Sequence, residues 1–385
     1  MRDKFLVFGS PRIEREEIEE VVQVLESGWL GTGPRVQKFE ADMAAYKGVE
    51  PDRVVAVNSC TAALHLSFVA AGLGPADEVI TTPMTFCATV NAIIHAGARP
   101  VLADIDPQTL NIDPAAIEAA ITPRTRAIVP VHFAGRPCDM HALRTIADRH
   151  GLMIIEDCAH AIETLHDGRH VGTLGEFGCF SFYVTKNVVT GEGGLVLAKT
   201  PELASRVKVL SLHGMNKDAW KRFGSDGYRH YQVTECGFKY NMTDLQAAIG
   251  IHQLRRVNEN LQRRNVIWAA YDQAFAELPL GLPVAQRPDG VHARHLYTVL
   301  VDAARAGITR DRFLAAVSER RIGVGVHYMS VPEHPYYQQT LGWRPEQYPH
   351  AMRVGRQTVS LPLSPAMTDQ DVADTIEAVR TALNA

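Results

Sequence analysis

The sequence predicts an α/β protein with a mixed, mostly parallel central sheet and a smaller α+β C-terminal domain. Three observations carry this reading. From about residue 50, short β-branched runs alternate with longer helical patterns, the rhythm of strand–helix–strand crossovers. Two apolar runs beyond residue 177 stand too close together to hold a crossover helix, so one strand should run against the others. A stretch rich in proline and glycine from Leu278 to Gly290 then breaks the pattern, and a new, shorter set of elements follows.

Taken in order, the runs Val54-Val57, Glu78-Thr81, Arg99-Ala103, Ala127-Val131 and Met153-Glu156 read as buried strands. Helical stretches fall between them at Thr61-Ala71, Ala88-Ala96, Pro114-Ala120 and Asp139-His150. Pro114 suits a first turn, where no N–H is needed, and Asp139 suits a cap. Gly178-Phe182 and Gly194-Ala198 should form an antiparallel hairpin or include a reversed strand. The polar, glycine-containing stretch from Gly214 to Gly237 reads as a long mobile loop. A long helical pattern then runs from Thr243 to Ala276. In the smaller domain, His295-Val301, a helix over Thr309-Arg320 and Gly323-His327 suggest an α+β layer, closed by a helix from about Asp369. The expected division is a large domain with an N-terminal arm over 1–280 and a small one over 281–385.

At 385 residues with a formal charge of −4, the chain is long enough for one large core and a second, smaller one. It carries no basic excess that would favour nucleic acid or an anionic membrane. No run approaches the roughly 20 apolar residues of a membrane helix, and the N-terminus mixes charge and apolar residues too early for a signal peptide. A cytoplasmic protein is expected. The six cysteines lack any Cys-x-x-Cys pair, which fits reduced thiols better than disulfides or zinc.

Lys186 ends the aromatic-rich run Cys179-Phe180-Ser181-Phe182-Tyr183-Val184-Thr185 and precedes the glycine-rich Thr190-Gly191-Glu192-Gly193-Gly194. A lysine so placed projects its amine from a strand end into a desolvated site, where its pKa falls and it becomes a nucleophile. Upstream, Ile154-Ile155-Glu156-Asp157 puts a carboxylate at the end of an apolar strand, where open α/β sheets present ligand-binding groups. Asp157 could hold a pyridinium nitrogen protonated, as an electron-sink cofactor such as pyridoxal phosphate requires. Asn58-Ser59-Cys60-Thr61-Ala62-Ala63 offers hydroxyls and N–H groups at a strand-to-helix junction suited to a phosphate, and Ser181 could add a contact. Asp104-Ile105-Asp106 reads as the start of a turn at Pro107 rather than a metal site, and no second carboxylate cluster supports one. Neither a dinucleotide fingerprint, a Walker-type loop nor His-Glu-x-x-His is present.

The Asp157 and Lys186 pair, Ser59-Cys60-Thr61-Ala62, Pro130-Val131-His132 with Gly135, and Gly237-Phe238-Lys239-Tyr240-Asn241-Met242-Thr243-Asp244 together resemble the DegT/DnrJ/EryC1/StrS family of sugar aminotransferases. The resemblance covers nearly the whole chain, from Ser27-Gly28-Trp29-Leu30-Gly31-Thr32-Gly33-Pro34 to His327-Tyr328 and Ser360-Leu361-Pro362-Leu363. Within the family, Thr122-Pro123-Arg124-Thr125, Gly307-Ile308-Thr309-Arg310-Asp311 and Arg321-Ile322-Gly323-Val324-Gly325-Val326-His327 are similar to the aminotransferases that make UDP-4-amino-4-deoxy-L-arabinose.

The resemblance implies fold type I of the pyridoxal 5'-phosphate enzymes and a homodimer with active sites at the subunit interface. It implies amino transfer from L-glutamate to a keto sugar carried by a nucleotide. Lys186 would form the internal aldimine, Asp157 would pair with the pyridine nitrogen, and Thr61, Ala62 and Ser181 would hold the phosphate. Asn241 would reach that phosphate from the neighbouring subunit, and Phe86 would stack on the cofactor ring. His160 stands where many relatives carry glutamine near the phenolate oxygen, and an imidazole can donate there only from the correct tautomer. His327 and Lys239 would face the sugar or its diphosphate. Relatives that replace the lysine with histidine act as dehydratases, so Lys186 favours the transaminase. A cofactor-bound regulator without turnover is the non-enzymatic alternative.

Overall fold

The computed structural model describes residues 2–216, 231–285 and 290–383. Strands β1 (Val54–Val57), β2 (Glu78–Thr81), β3 (Arg99–Leu102), β4 (Thr125–Val129), β5 (Met153–Asp157), β6 (Leu165–His166), β7 (Arg169–His170), β8 (Phe177–Ser181) and β9 (Gly194–Ala198) precede a C-terminal pair, β10 (Tyr297–Leu300) and β11 (Thr358–Leu361). Seven of them form one sheet in the order β1-β9-β8-β5-β4-β2-β3, with β6 and β7 in a separate small hairpin. Every pairing in the large sheet is parallel except those of β9, which runs antiparallel to β1 and β8. The short connection after β8 left no room for a crossover helix, and the chain returned directly alongside it.

Burial on both faces explains the near-continuous apolar runs. On β1, Val55 and Val57 face one core with Phe68 and Leu66, whereas Val54 and Ala56 face another with Phe39 and Met43. On β9, Val196 and Ala198 take the first side, and Leu195 and Leu197 the second. Each fully buried Phe or Leu contributes about 1.5–3 kcal/mol of transfer free energy.

The helices begin where side-chain oxygens can cap them. Ser59 caps Cys60–Ala70, Asp113 caps Pro114–Ala120, Asp139 caps Met140–His150 and Thr200 caps Pro201–Ser211. Thr243 and Gln246 form a capping box on Asp244–Arg255. The single helical pattern expected over Thr243 to Ala276 is two helices, Asp244–Arg255 and Val257–Phe275, because the backbone leaves helical geometry at Arg256. The Arg256 guanidinium is drawn there into ion pairs with Glu14 and Glu17 of the N-terminal segment.

Residues 217–230 of the expected loop lie outside the described residues; its flanks meet at a bridge between Met215 and Val233. Among the described residues, Gly323-His327 makes a single bridge, Gly325 to Ser360, with another just before it from Ile322 to Leu6. The antiparallel partner of β10 is β11, some sixty residues later. Around this pair gather Phe313, Val317, Val372 and Val379, together with Ile267, Trp268, Tyr271 and Phe275 from the helix Val257–Phe275. Among the described residues, no helix is long and apolar enough to cross a membrane.

Candidate active site

A cavity of about 510 Å³ opens at the C-terminal ends of the parallel strands, where β1, β5 and β8 deliver their last residues. Ser59, Cys60, Thr61, Phe86, Asp157, His160, Ser181, Lys186, His327 and Tyr328 all contribute to its wall. Seven of the residues singled out in the sequence therefore come together: Lys186, Asp157, Thr61, Phe86, His160, Ser181 and His327.

Lys186 follows β8 in a tight turn, its backbone N–H donating to the Tyr183 carbonyl at 2.8 Å. Burial pushes its amine down to about 8, opposed by Cys60 and Asp157. Cys60 is itself held well above the ordinary thiol range by burial and stays neutral, which leaves Asp157 as the charged neighbour. Among the described residues, no side-chain or backbone group bonds the amine. It is a desolvated amine, more readily deprotonated than an ordinary lysine.

Asp157 ends β5 and is 4% exposed. Its Oδ2 accepts from Thr89 Oγ1 at 2.8 Å and its Oδ1 from the Ala159 N–H at 3.1 Å. Thr85 stands behind Thr89 at 2.7 Å, so the two hydroxyls run as a chain into the carboxylate. Burial raises the Asp157 pKa; the Thr89 and Ala159 bonds and the Lys186 charge oppose the rise.

The helix Cys60–Ala70 points its N-terminus at the same cavity. Ser59 Oγ accepts from the Ala62 N–H at 3.1 Å and the Ser59 carbonyl from Ala63 at 3.0 Å, which leaves the Cys60 and Thr61 N–H groups for a ligand. Gly194 makes this junction possible: a Cβ there would collide with the Ser59 carbonyl and lie 2.6 Å from the Cys60 nitrogen. Ser181 presents its hydroxyl from the end of β8, accepting the Tyr183 N–H at 3.4 Å.

His327 donates or accepts at Ser360 Oγ over 2.9 Å, and burial with the Lys186 charge pushes it down to about 4. Phe86 is 58% exposed at the rim, its ring 5.9 Å from that of Tyr328. His160 stands in the cavity wall with both ring nitrogens engaged within the protein, one by the Ala134 N–H and one by Tyr328. Ala62 lies behind the wall, with its N–H taken by the cap.

Asn241 and Lys239 lie outside this cavity within one chain. Asn241 donates to Thr32 Oγ1 at 2.7 Å and lines a second cavity of about 230 Å³ with Trp29 and Lys208. The Lys239 carbonyl accepts from Asn58 Nδ2 at 3.4 Å. Sequence reasoning missed Thr85, Thr89 and Tyr328 as site residues. The four-residue spacing of the two threonines at a helix start was a readable sign of a shared face, whereas nothing in the sequence joins Tyr328 to His160.

The buried trio His132, Glu156 and Cys158 is close enough to suggest a metal. Two of its three members are already engaged: Glu156 accepts from the N–H groups of Gly172, Leu174 and Gly175 and from His132, whose other nitrogen accepts from the Cys138 N–H. The trio anchors the turn before β8.

The family model for the DegT/DnrJ/EryC1/StrS aminotransferases matches residues 11–380. The chain belongs to that family. It is 51% identical over 380 residues to the spore coat polysaccharide biosynthesis protein SpsC of Bacillus subtilis, covering 98% of this chain and 97% of that protein. The aminotransferase TlmJ of Streptoalloteichus hindustanus superposes with a TM-score of 0.89 at 35% identity, covering 99% of each chain. Spr1654 of Streptococcus pneumoniae, described as a candidate sugar aminotransferase, superposes in its PMP form with a TM-score of 0.92 at 32% identity, covering 98% of this chain and 99% of that one. A PLP form of the same protein superposes with a TM-score of 0.91, covering 99% of each chain.

The fold is therefore type I, and the chain is a pyridoxal phosphate-dependent aminotransferase of a family that works on sugars. Its cavity fits that cofactor. It offers an unpartnered buried amine, a strand-end carboxylate and an open helix N-terminus whose close approach requires glycine at position 194.

Proposed function

We propose that this enzyme moves the amino group of L-glutamate to a keto sugar carried on a nucleotide, a UDP- or dTDP-linked 4-keto sugar, releasing 2-oxoglutarate and an amino sugar nucleotide. The observation that supports it best is the placement of Lys186 and Asp157, both buried, on the wall of one cavity with the helix start at Thr61. Bound pyridoxal phosphate supplies a carbonyl that takes up the amino group and an electron-poor ring that stabilises negative charge at the neighbouring carbon. Everything else is the work of side chains.

Lys186, with its amine at about 8, has a sizeable neutral fraction near neutral pH and attaches the cofactor. Released by the incoming amine, it takes the proton from the donor's α-carbon and returns one on the other side of the exchange. Asp157, kept ionised by the Thr89 and Ala159 bonds, holds the proton on the ring nitrogen. The Cys60 and Thr61 N–H groups, with the Thr61 and Ser181 hydroxyls, bind the phosphate. Phe86 covers the ring from the rim, and His327 faces the sugar or its diphosphate.

A homodimer follows from the same reading. Asn241 and Lys239 lie away from the cavity of their own chain, and a second copy would carry them to it. The test is a half-reaction: the holoenzyme mixed with L-glutamate alone should lose its visible band and release one 2-oxoglutarate per site. A keto-sugar nucleotide should then restore the band. A protein whose visible band is untouched by glutamate would refute the proposal.

A further inference from the structure

His160 and Tyr328 form a pair that the mechanism above leaves unused. The Ala134 N–H donates to His160 Nδ1 at 3.2 Å, and His160 Nε2 lies 3.0 Å from the Tyr328 hydroxyl. A neutral imidazole carries one proton. Since Nδ1 accepts, the proton is on Nε2 and is donated to the tyrosine oxygen. Burial, with the Lys186 charge beside it, pushes the His160 pKa well below its ordinary range, so a second proton is not available.

The tyrosine oxygen accepts from His160, and its own O–H proton is left for another partner. Among the described residues, no protein acceptor takes it. Tyr328 shares the cavity wall with Lys186 and Asp157, and burial raises its pKa, so the hydroxyl keeps its proton across the working range. His160 is held rigidly: its ring lies 4.4 Å from that of His295, 6.3 Å from Phe133 and nearly parallel to Tyr328. A hydroxyl that accepts one hydrogen bond becomes a stronger donor in the next.

We propose that Tyr328 is the hydrogen-bond donor that the cavity gives to the phenolate oxygen of the cofactor, and that His160 is the positioning residue that aims it. The assignment rests on the cofactor reading of Lys186 and Asp157. That reading gives the ring nitrogen to Asp157 and the phosphate to the helix start, and the phenolate is the remaining ring heteroatom. The imidazole has no proton left to offer it. Tyr328 has.

The test is the pH midpoint of the holoenzyme's visible absorption, a readout that does not depend on turnover. A donor to an anionic oxygen favours the charged form, so removing it raises the midpoint. Tyr328→Phe keeps the ring and should raise it by about 1–2 pH units, the worth of a hydrogen bond to a charged group. Lys186, Asp157, His160, Tyr183, Glu192, His327 and Cys60, the other titratable groups on the wall, are common to both proteins and cancel in the comparison.

His160→Gln retains one acceptor for Ala134 and one donor for Tyr328, and should leave the midpoint within about half a unit of wild type. His160→Leu should raise it part of the way, and combined with Tyr328→Phe should add nothing further. An unmoved midpoint in Tyr328→Phe overturns the proposal. So does a full shift in His160→Gln, or additivity in the double variant, either of which would show the imidazole contacting the cofactor itself. A Lys186→Ala protein with an unchanged titration would overturn the lysine assignment instead, a failure visible without any change at Tyr328.

Discussion

Replacing Thr89 by valine removes one hydroxyl and almost no volume, and it isolates what the buried threonine pair does for Asp157. Thr89 Oγ1 donates to Asp157 Oδ2 at 2.8 Å, with Thr85 behind it at 2.7 Å. The carboxyl is buried, so the bond is unscreened; one hydrogen bond to a charged group contributes about 1.5–3 kcal/mol. At about 1.4 kcal/mol per pKa unit, its loss should raise the Asp157 pKa by about 1–2 units beyond the rise that burial already causes. Only the ionised carboxylate can hold a proton on the ring nitrogen, so activity falls as pH drops through this pKa. The acid limb of the glutamate half-reaction, followed by stopped-flow absorbance from acid to neutral pH, should therefore move up by about 1–2 units, with the plateau little changed. Thr85→Val should move it the same way by less, since it only polarises Thr89. An acid limb that stays in place in Thr89→Val would refute this account of how Asp157 is kept charged.

Gly194→Ala drives a Cβ into the Ser59–Cys60 peptide and should destabilise the protein by about 1–3 kcal/mol while weakening cofactor binding, seen as a smaller rise in Tm on adding pyridoxal phosphate. Glu156 is held below the usual carboxylate range, chiefly by His132 and the Gly172 and Gly175 N–H groups acting against burial. A depressed folded-state pKa gives stability that is present above the unfolded value, about 4.3, and lost as pH falls through the folded one. Urea unfolding should show Glu156→Gln less stable than wild type at neutral pH, with the gap narrowing in acid below that range. Arg264→Met leaves the buried Glu163 carboxylate with Asn187 alone to bond it among the described residues, and urea unfolding should register a loss of about 3–5 kcal/mol.

The large sheet was legible because each of its strands carries its own signal: apolar runs buried on both faces, bounded by capping residues such as Ser59, Asp113 and Asp139. The reversal of β9 was legible from the length of its connection alone. The break at Arg256 was not; its guanidinium pairs with Glu14 and Glu17, more than two hundred residues away, partners that no local pattern names. The strand that pairs with β10 was not read at all: β11 lies some sixty residues further on, and no local pattern joins the two.

At the site, strand-end chemistry and motif resemblance pointed to Lys186, Asp157 and Thr61, which meet in one cavity. Their supporting groups were hidden because they act through space. Thr89 reaches Asp157 from a different crossover, and Tyr328 reaches His160 from the C-terminal region. The tautomer of His160, set by a backbone N–H, could not be read from residue types at all.

The most direct test of the account is chemical trapping at Lys186. Borohydride reduction of the holoenzyme, followed by proteolysis and mass spectrometry, should place a pyridoxyl group on the peptide containing Lys186, and Lys186→Ala should trap none. Lys47 is an internal control, a second buried amine also pushed down to about 8, but tied to the Ile162 carbonyl at 2.8 Å and outside the cavity. Label on Lys47 or any other lysine in the wild-type protein, with Lys186 unmodified, would contradict the assignment on which the mechanism rests.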